Sequence, residues 1–447
     1  MTNLPVEPYK GTRDWYPADM RVRQYVFNVW QRVARRYGYE AYDAPLLEPV
    51  DVYAAKSGQE LVSEQTYQLV DRGDRHMAIR PEMTPSVSRM IAAKQQEIAL
   101  PARWYSVAQF MRYERPQRGR DREFWQLNCD LFGQNGPYAD AEIIGLGAAL
   151  MAELGASHDM FTIKVNNRRI VDVMMTSYLE LDTVQSQLMI RLFDRKNKIA
   201  PEAFRDEAIE IFGDDMAPQG LQRLSQLLSA KSMADLPEII RDSDATREVQ
   251  ELFVQLEQAG VKNVIFDITL MRGLDYYTGT VFEFYDTDGK NTRSLFGGGR
   301  YDGLVGLFGG TLVSAVGMAM GYSMTELFLQ THDLLPKLYS STDVYAIVIG
   351  DVLQPAQSLV RRLRNEGVNI ELDTTKRKMD KQLKTAVKKS VPYILFIGED
   401  EVANEVYSLK DTVSGNEEKL SFERIVTTVS DRRKHYSADL DDDLYFD

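Results

Sequence analysis

Cysteine is almost missing: Cys129 is the one cysteine in 447 residues. No disulfide can form within the chain, and no multi-cysteine zinc site can be built. Histidine is scarce too. His76, His158, His332 and His435 are scattered, with no metal-ligand spacing. No apolar run approaches the roughly 18–20 residues that a membrane helix requires. The opening Met-Thr-Asn-Leu-Pro-Val-Glu has neither the basic start nor the apolar core of a signal peptide, nor a transit-peptide pattern. The spacing of a P-loop and that of a Rossmann fingerprint are both absent. Positive charge is not in surplus: the net charge is −13, against indiscriminate nucleic-acid binding but compatible with a local basic patch. These absences predict a cytoplasmic protein without structural metal or membrane contact.

What is present is ordinary globular composition, 44% hydrophobic and 27% charged, over a length that suggests two to four domains. The most informative stretch is 110–132. Phe124, Gln126, Asn128 and Asp130 share one parity; Trp125, Leu127, Cys129 and Leu131 share the other. Successive strand side chains point to opposite faces, so one face is apolar and the other carries a ring, two amides and a carboxylate. Cys129 falls on the apolar face and reads as a buried thiol. Pro116 and Gly119 mark a turn before this strand. The apolar stretch Trp104–Phe110 precedes the turn, which predicts a long antiparallel hairpin. Its tip region holds five arginines in eleven residues, Arg112, Arg115, Arg118, Arg120 and Arg122. A basic turn on an amphipathic sheet fits this pattern; so does a grip on a nucleotide triphosphate, because the guanidinium fork matches phosphate.

Elsewhere, periodicity predicts a helix over 20–37 and a proline-broken edge strand over 43–49, suited to a subunit interface. A hairpin over 67–79 leads to Arg80-Pro-Glu-Met-Thr84. There Glu82 and Thr84 lie on one side of an extended segment, able to bind an ammonium group; Thr84 before Pro85 also fits a helix N-cap. A helix is expected over 139–154, then an acidic helical stretch. Strand character returns at 264. Arg272 stands at a glycine break. Thr280, Phe282 and Phe284 alternate with Val281, Glu283 and Tyr285. The run Gly297-Gly-Gly-Arg-Tyr301 lets backbone approach a ligand, or marks a bulge. Residues 315–324 lead into an apolar helix ending near Leu329. Beyond a linker, strands at 344–349, 368–372 and 393–397 alternate with helices. One of those helices is lysine-rich over 376–389, either a solvated face or an RNA-binding surface.

Together these pieces resemble the histidyl-tRNA synthetase family of class II aminoacyl-tRNA synthetases. The likeness runs from Lys10-Gly-Thr-Arg-Asp14 through Arg80-Pro-Glu-Met-Thr84, the 110–126 hairpin, Arg272-Gly-Leu-Asp-Tyr-Tyr277 and Gly297-Gly-Gly-Arg-Tyr-Asp-Gly303. It implies an α+β fold: an antiparallel sheet of six or seven strands flanked by helices, with a helical insertion and a C-terminal α/β anticodon-binding domain. The implied divisions are catalytic segments 1–170 and 256–330, insertion 171–255, linker 331–341, anticodon-binding domain 342–432 and acidic tail 433–447.

The resemblance further implies a homodimer that activates L-histidine with ATP and Mg2+ and charges tRNA(His). Arg112 and Arg272 would hold the α-phosphate as the catalytic pair, and Phe124 would stack on adenine. Arg115 and Arg120 would meet further phosphates or the acceptor stem, and Gln117 the tRNA end. Glu82, Thr84 and Gln126 would take the α-amino group. Asp130, Tyr276, Tyr277 and Tyr301 would surround the imidazole, and Glu283 would hold magnesium.

Two departures stand out. Gly321 is followed by Tyr322-Ser-Met324 where the family usually carries Glu-Arg; Arg118 or Arg300 would replace that γ-phosphate arginine. The imidazole-facing carboxylate, commonly glutamate, is Asp130. A non-catalytic relative, a histidine sensor or tRNA-binding regulator, is the alternative. Arg112, Arg272, Tyr277 and the C-terminal domain weigh against it.

Overall fold

The computed structural model describes residues 4–54, 64–196, 199–271, 276–375 and 377–437. They form two compact units, Met1–Asp14 with Val29–Leu334, and Trp15–Asn28 with Leu335–Asp447.

The first unit is built on an eight-stranded sheet. Its strands in chain order are β1 (Glu40–Ala41), β2 (Ala102–Met111), β3 (Glu123–Phe132), β4 (Phe161–Asn167), β5 (Val264–Phe266), β6 (Thr280–Asp286), β7 (Ser294–Arg300) and β8 (Ala315–Gly321). Their spatial order is β1-β2-β3-β8-β7-β6-β4-β5. The central pairings are antiparallel; β1 on β2 and β5 on β4 are parallel. The sheet is thus mixed at its edges and larger than six or seven strands.

Alternation decides what each face does. On the back face Leu127, Cys129 and Leu131 are fully buried, with Phe282, Phe284, Phe296 and Met318 beside them. Phe284 and Phe296 stack at 4.1 Å, and the helix Pro137–Glu153 lies on them: a methyl on its Gly147 would strike the Phe284 ring. The lone thiol sits among these side chains, unreactive by burial, which raises its pKa well above the usual value.

The front face follows from register. Asp130 lies opposite Gly317, Gly317 opposite Gly299, and Gly299 opposite Val281. One step along, Asn128, Ala319, Gly297 and Glu283 form the next row. The floor between the two functional edges is therefore nearly bare backbone. The glycine run is the middle of β7, with a register irregularity at Ser294/Phe296 and no loop.

A three-stranded sheet joins Leu47–Pro49, His76–Ile79 and Gln68–Val70. Leu47–Pro49 is its edge, as the prolines require, since proline cannot donate to a ladder. Helices fill 168–258 apart from short connections.

The second unit contains a five-stranded sheet. Val344–Val348, Ile370–Asp373 and Tyr393–Ile397 run parallel, with helices Leu353–Asn365 and Met379–Lys388 between them. A short helix, Glu399–Asn404, two antiparallel strands, Val406–Asp411 and Glu417–Ser421, and a last helix, Phe422–Ser437, follow. That helix runs into the expected tail at 433–447, as far as Ser437. Residues 438–447 lie outside the described residues.

Candidate active site

The hairpin of β2 and β3 pairs over ten residues, from Ala102 with Phe132 to Met111 with Glu123. Its antiparallel register puts Phe110 beside Phe124, and their rings stack at 5.8 Å. Arg112 follows at the rim. Its Nε donates to the Pro81 carbonyl at 2.8 Å, and its guanidinium lies 5.3 Å from the Phe124 ring centre. Its Nη atoms make no hydrogen bond among the described residues. A held but unspent fork beside an aromatic face is a fitting cradle for phosphate and adenine.

The tip closes as a tight turn. Gln117 N donates to Arg120 O at 3.1 Å, Arg120 N returns to Gln117 O at 2.8 Å, and Gly119 takes φ +72°. Arg115 and Gln117 are exposed. Arg120 is not a bare cation: it pairs with Glu114, a buried carboxylate in the same loop. The N-terminal motif Lys10–Asp14 straps the neck of the hairpin. Gly11 O accepts from Arg122 N at 2.7 Å, and Arg13 grips Glu326 at 2.8 Å.

At the other end of the floor the polar groups converge. Asp130 is 2% exposed, and Tyr301 donates to its Oδ1 at 2.5 Å. Tyr42 donates to Oδ2 at 3.4 Å. Burial raises the Asp130 pKa to about 7, against the pull of those two hydroxyls. Glu82 is 4% exposed and accepts from the Tyr276 hydroxyl at 2.9 Å. Tyr276 packs edge-on to Tyr277 at 5.1 Å and to Tyr301 at 5.8 Å. Burial, then the charges of Glu82, Asp130 and Glu283, push the Tyr277 hydroxyl far above its ordinary pKa, so Tyr277 stands among three carboxylates. A methyl on Gly299 would strike the Tyr277 ring, and one on Gly297 would strike Glu283. The bare floor is what lets these side chains lie against the sheet.

Thr84 opens the helix Thr84–Ala93 and is not its N-cap. Met83 holds that position with no side-chain cap, which leaves the Thr84 hydroxyl for Tyr276. Gln126 sits on the front face opposite Gly321 and Ala108. Glu283 accepts from Tyr285, and its register neighbour Lys164 is drawn to Asp267 at 2.8 Å. One carboxylate and no histidine or cysteine fits Mg2+ bound chiefly by phosphate oxygens. Among the described residues no cluster of three or more metal-type side chains exists.

Arg272 lies outside the described residues. Arg300 is excluded as a substitute cation. It is buried, with Nε donating to Asp140 at 2.9 Å and Nη1 to Asp302 at 3.0 Å, and two backbone carbonyls take more of its donors. Arg118 remains: it is exposed, and among the described residues its guanidinium donates to Asn291 Oδ1 at 3.5 Å. Met324 is buried beneath the tip, where Gly119 rests on its sulfur, and Ser323 Oγ donates to Asp121 at 2.7 Å. Tyr42 was not foreseen as a site residue. Its one signal is its place in Tyr39-Glu-Ala-Tyr42, just after a short strand.

The site therefore has an acidic, tyrosine-lined end and an arginine-rich end, joined by a glycine floor on a largely antiparallel sheet. This is the catalytic core of a class II aminoacyl-tRNA synthetase. The family model described as histidyl-tRNA synthetase matches residues 11–324, and that of the anticodon binding domain matches 343–432. The histidine--tRNA ligase of Leptospira biflexa is 38% identical over 430 residues, 96% of this chain and 98% of the relative. That of Haloarcula marismortui is 36% identical over 417 residues, 91% and 94% of the two. Among solved structures, the histidyl-tRNA synthetase of Nostoc sp. PCC 7120 superposes with a TM-score of 0.81 at 23% identity, covering 96% of this chain and all of that one. The chain belongs to the histidyl-tRNA synthetase family.

Proposed function

We propose that this chain joins L-histidine to ATP, forming histidyl-adenylate and pyrophosphate, and then esterifies tRNA(His). The observation that carries this reading is the convergence of Glu82, Asp130, Tyr276, Tyr277 and Tyr301 at one end of a floor whose other end is Arg112 and Phe124. Carboxylates suit an ammonium group and an imidazole N–H; a guanidinium suits phosphate.

In this reading Glu82, Thr84 and Gln126 hold the α-amino group. Asp130, Tyr301, Tyr276 and Tyr277 hold the ring. The substrate carboxylate is thereby aimed at the α-phosphorus. Negative charge grows on the phosphoryl oxygens during attack, and a pre-placed Arg112, joined by Arg272, stabilises it. Phe124 stacks on adenine. Arg115 and Arg118 face the outer phosphates or the acceptor end, with Gln117 at the tRNA end. Arg120 reaches ATP only by loosening its hold on Glu114. Glu283 would hold Mg2+, which when bound would neutralise charge on the triphosphate. The 342–432 domain takes the anticodon. Leu47 and Leu69, exposed on one face of the three-stranded sheet, support a homodimer through that sheet.

The sensor alternative draws on Met324. The intact acidic pocket, the Arg112 fork and the anticodon binding domain favour the enzyme. The test is histidine-dependent ATP–pyrophosphate exchange in Arg112→Ala and Arg272→Ala. Each loses about 10²–10³ in rate, the usual effect of removing one transition-state donor. Near-normal exchange in either, with the fold intact, removes that residue from the mechanism.

A further inference from the structure

Asp130 accepts two hydroxyls that differ greatly in quality. The Tyr301 bond is short, 2.5 Å. The Tyr42 contact is 3.4 Å, beyond the usual O–H···O range. An incoming imidazole N–H that needs an oxygen of Asp130 will displace the weaker donor. The displaced Tyr42 hydroxyl then requires another acceptor, because an unpaired buried hydroxyl is costly.

One stands next to it. Ser106 lies on β2, on the same front face, opposite Asn128 in the register. Its Oγ is buried and has no hydrogen-bond partner among the described residues. Tyr42 N donates to the Tyr105 carbonyl at 2.9 Å, which runs Tyr42 alongside Ser106 and brings the two hydroxyls within reach of each other. Burial and the Asp130 charge raise the Tyr42 pKa, and Ser106 works against them. No step of the proposed mechanism uses Ser106. Trp104, one residue pair further along the same face, packs on Tyr42 at 5.7 Å and fixes its ring while the hydroxyl turns.

We propose that Tyr42 and Ser106 form a specificity-setting relay behind Asp130: histidine takes the Asp130 oxygen that Tyr42 leaves, and Tyr42 transfers its hydrogen bond to Ser106. No covalent bond changes; one O–H donor exchanges one acceptor for another. The relay rewards a ligand that brings an N–H of its own. A ligand without that donor leaves Tyr42 on Asp130 and gains nothing. The charged or titratable groups facing Asp130 are Tyr42 from the β1 end, Tyr301 after β7 and Tyr277 before β6; Cys129, next to it on β3, points to the back face. Tyr42 and Tyr301 bond to it directly.

The inference rests on the proposed histidine-binding role of Asp130, and the experiment separates the two. KM for histidine is measured in pyrophosphate exchange for Ser106→Ala, Tyr42→Phe, the double variant and Asp130→Asn in the full-length protein. Ser106→Ala strands the displaced hydroxyl, and KM for histidine rises about tenfold, equivalent to about 1.4 kcal/mol, with KM for ATP unchanged. Adding Tyr42→Phe removes the hydroxyl that has nowhere to go, and KM returns to within about threefold of the parent. A merely structural Ser106 gives no such rescue: additive losses in the double variant, or no loss in Ser106→Ala, overturn the relay. If Asp130→Asn leaves KM for histidine unchanged, the binding role and the relay fall together. If Asp130→Asn raises it while the pair shows no coupling, only the relay falls.

Discussion

Gly317 faces Asp130 across the β3–β8 ladder so closely that a methyl on Gly317 would occupy the place of Asp130 Oδ1. The carboxylate lies over a neighbouring strand that has no side chain there. Position 317 therefore has no room for a side chain. Gly317→Ala has to push Asp130 off the Tyr301 hydroxyl or spread the strands, since the Cys129 carbonyl is 3.0 Å from the same point.

The expected outcome is a Gly317→Ala protein that folds, shows a KM for histidine at least about tenfold higher, and keeps its affinity for ATP within about twofold. Steady-state pyrophosphate exchange at varied histidine, then at varied ATP, checks it. Equal losses on both axes would show that the change disturbs the whole floor.

Asp130 titrates in the working range, at about 7. Below that pH it is protonated and loses its charge as the proposed acceptor for the imidazole N–H. KM for histidine therefore rises as pH falls from 8 to 6, more steeply than the substrate's own titration near 6.5 accounts for. Asp130→Asn weakens histidine binding more than ATP binding and removes the extra steepness. The linkage has the opposite sign for stability. A carboxyl raised in the folded state binds more protons folded than unfolded between about pH 4 and 7, so it loses stability as pH rises through that window. The Tm of Asp130→Asn relative to parent should thus climb from pH 5 to pH 8. A flat difference would mean that Asp130 is not raised.

The alternation over 124–131 made the hairpin, its two faces and the buried Cys129 legible, because period two needs only neighbouring residues. That Tyr277 and Tyr301 join Glu82 and Asp130 was legible only through motifs, since nothing local says that Tyr301 will meet Asp130 171 residues earlier. Tyr42 escaped for the same reason, with 88 residues between it and Asp130. Arg300 looked free beside three glycines; its partner Asp140 is 160 residues away. The glycine run alone was ambiguous because its meaning lies in which side chains of β3, β6 and the 276–277 segment rest above it. The strands Val406–Asp411 and Glu417–Ser421 escaped because charged residues fill the outer positions of an edge hairpin.

Arg120 carries a structural load. Its partner Glu114 is buried, so Arg120→Ala leaves a carboxylate without its counter-ion. Because Arg120 itself is half-exposed, the loss is about 1–3 kcal/mol, less than for a fully buried pair. Denaturant melting checks this, and Arg115→Ala is the control, with no measurable loss of stability. If Arg120→Ala leaves the midpoint unchanged while cutting exchange as deeply as Arg112→Ala, Arg120 belongs to the phosphate site in the ordinary sense.

In the proposed function Glu283 is the front-face carboxylate that meets a phosphate-bound cation. Glu283→Gln keeps the shape and removes the charge. The Mg2+ concentration for half-maximal exchange should rise about fivefold or more, while KM for histidine stays within about twofold. A shift in the histidine constant with no change in Mg2+ demand would reassign Glu283 to the amino-acid pocket.

The central claim is that one pocket, acidic at one end and basic at the other, selects histidine and presents it to ATP. Pyrophosphate exchange with each of the twenty amino acids tests it most directly. The account predicts exchange with histidine alone, at least about 10³-fold above every other amino acid, as expected of a site built to hydrogen-bond its substrate. No exchange with histidine, or comparable exchange with a second amino acid, would contradict it.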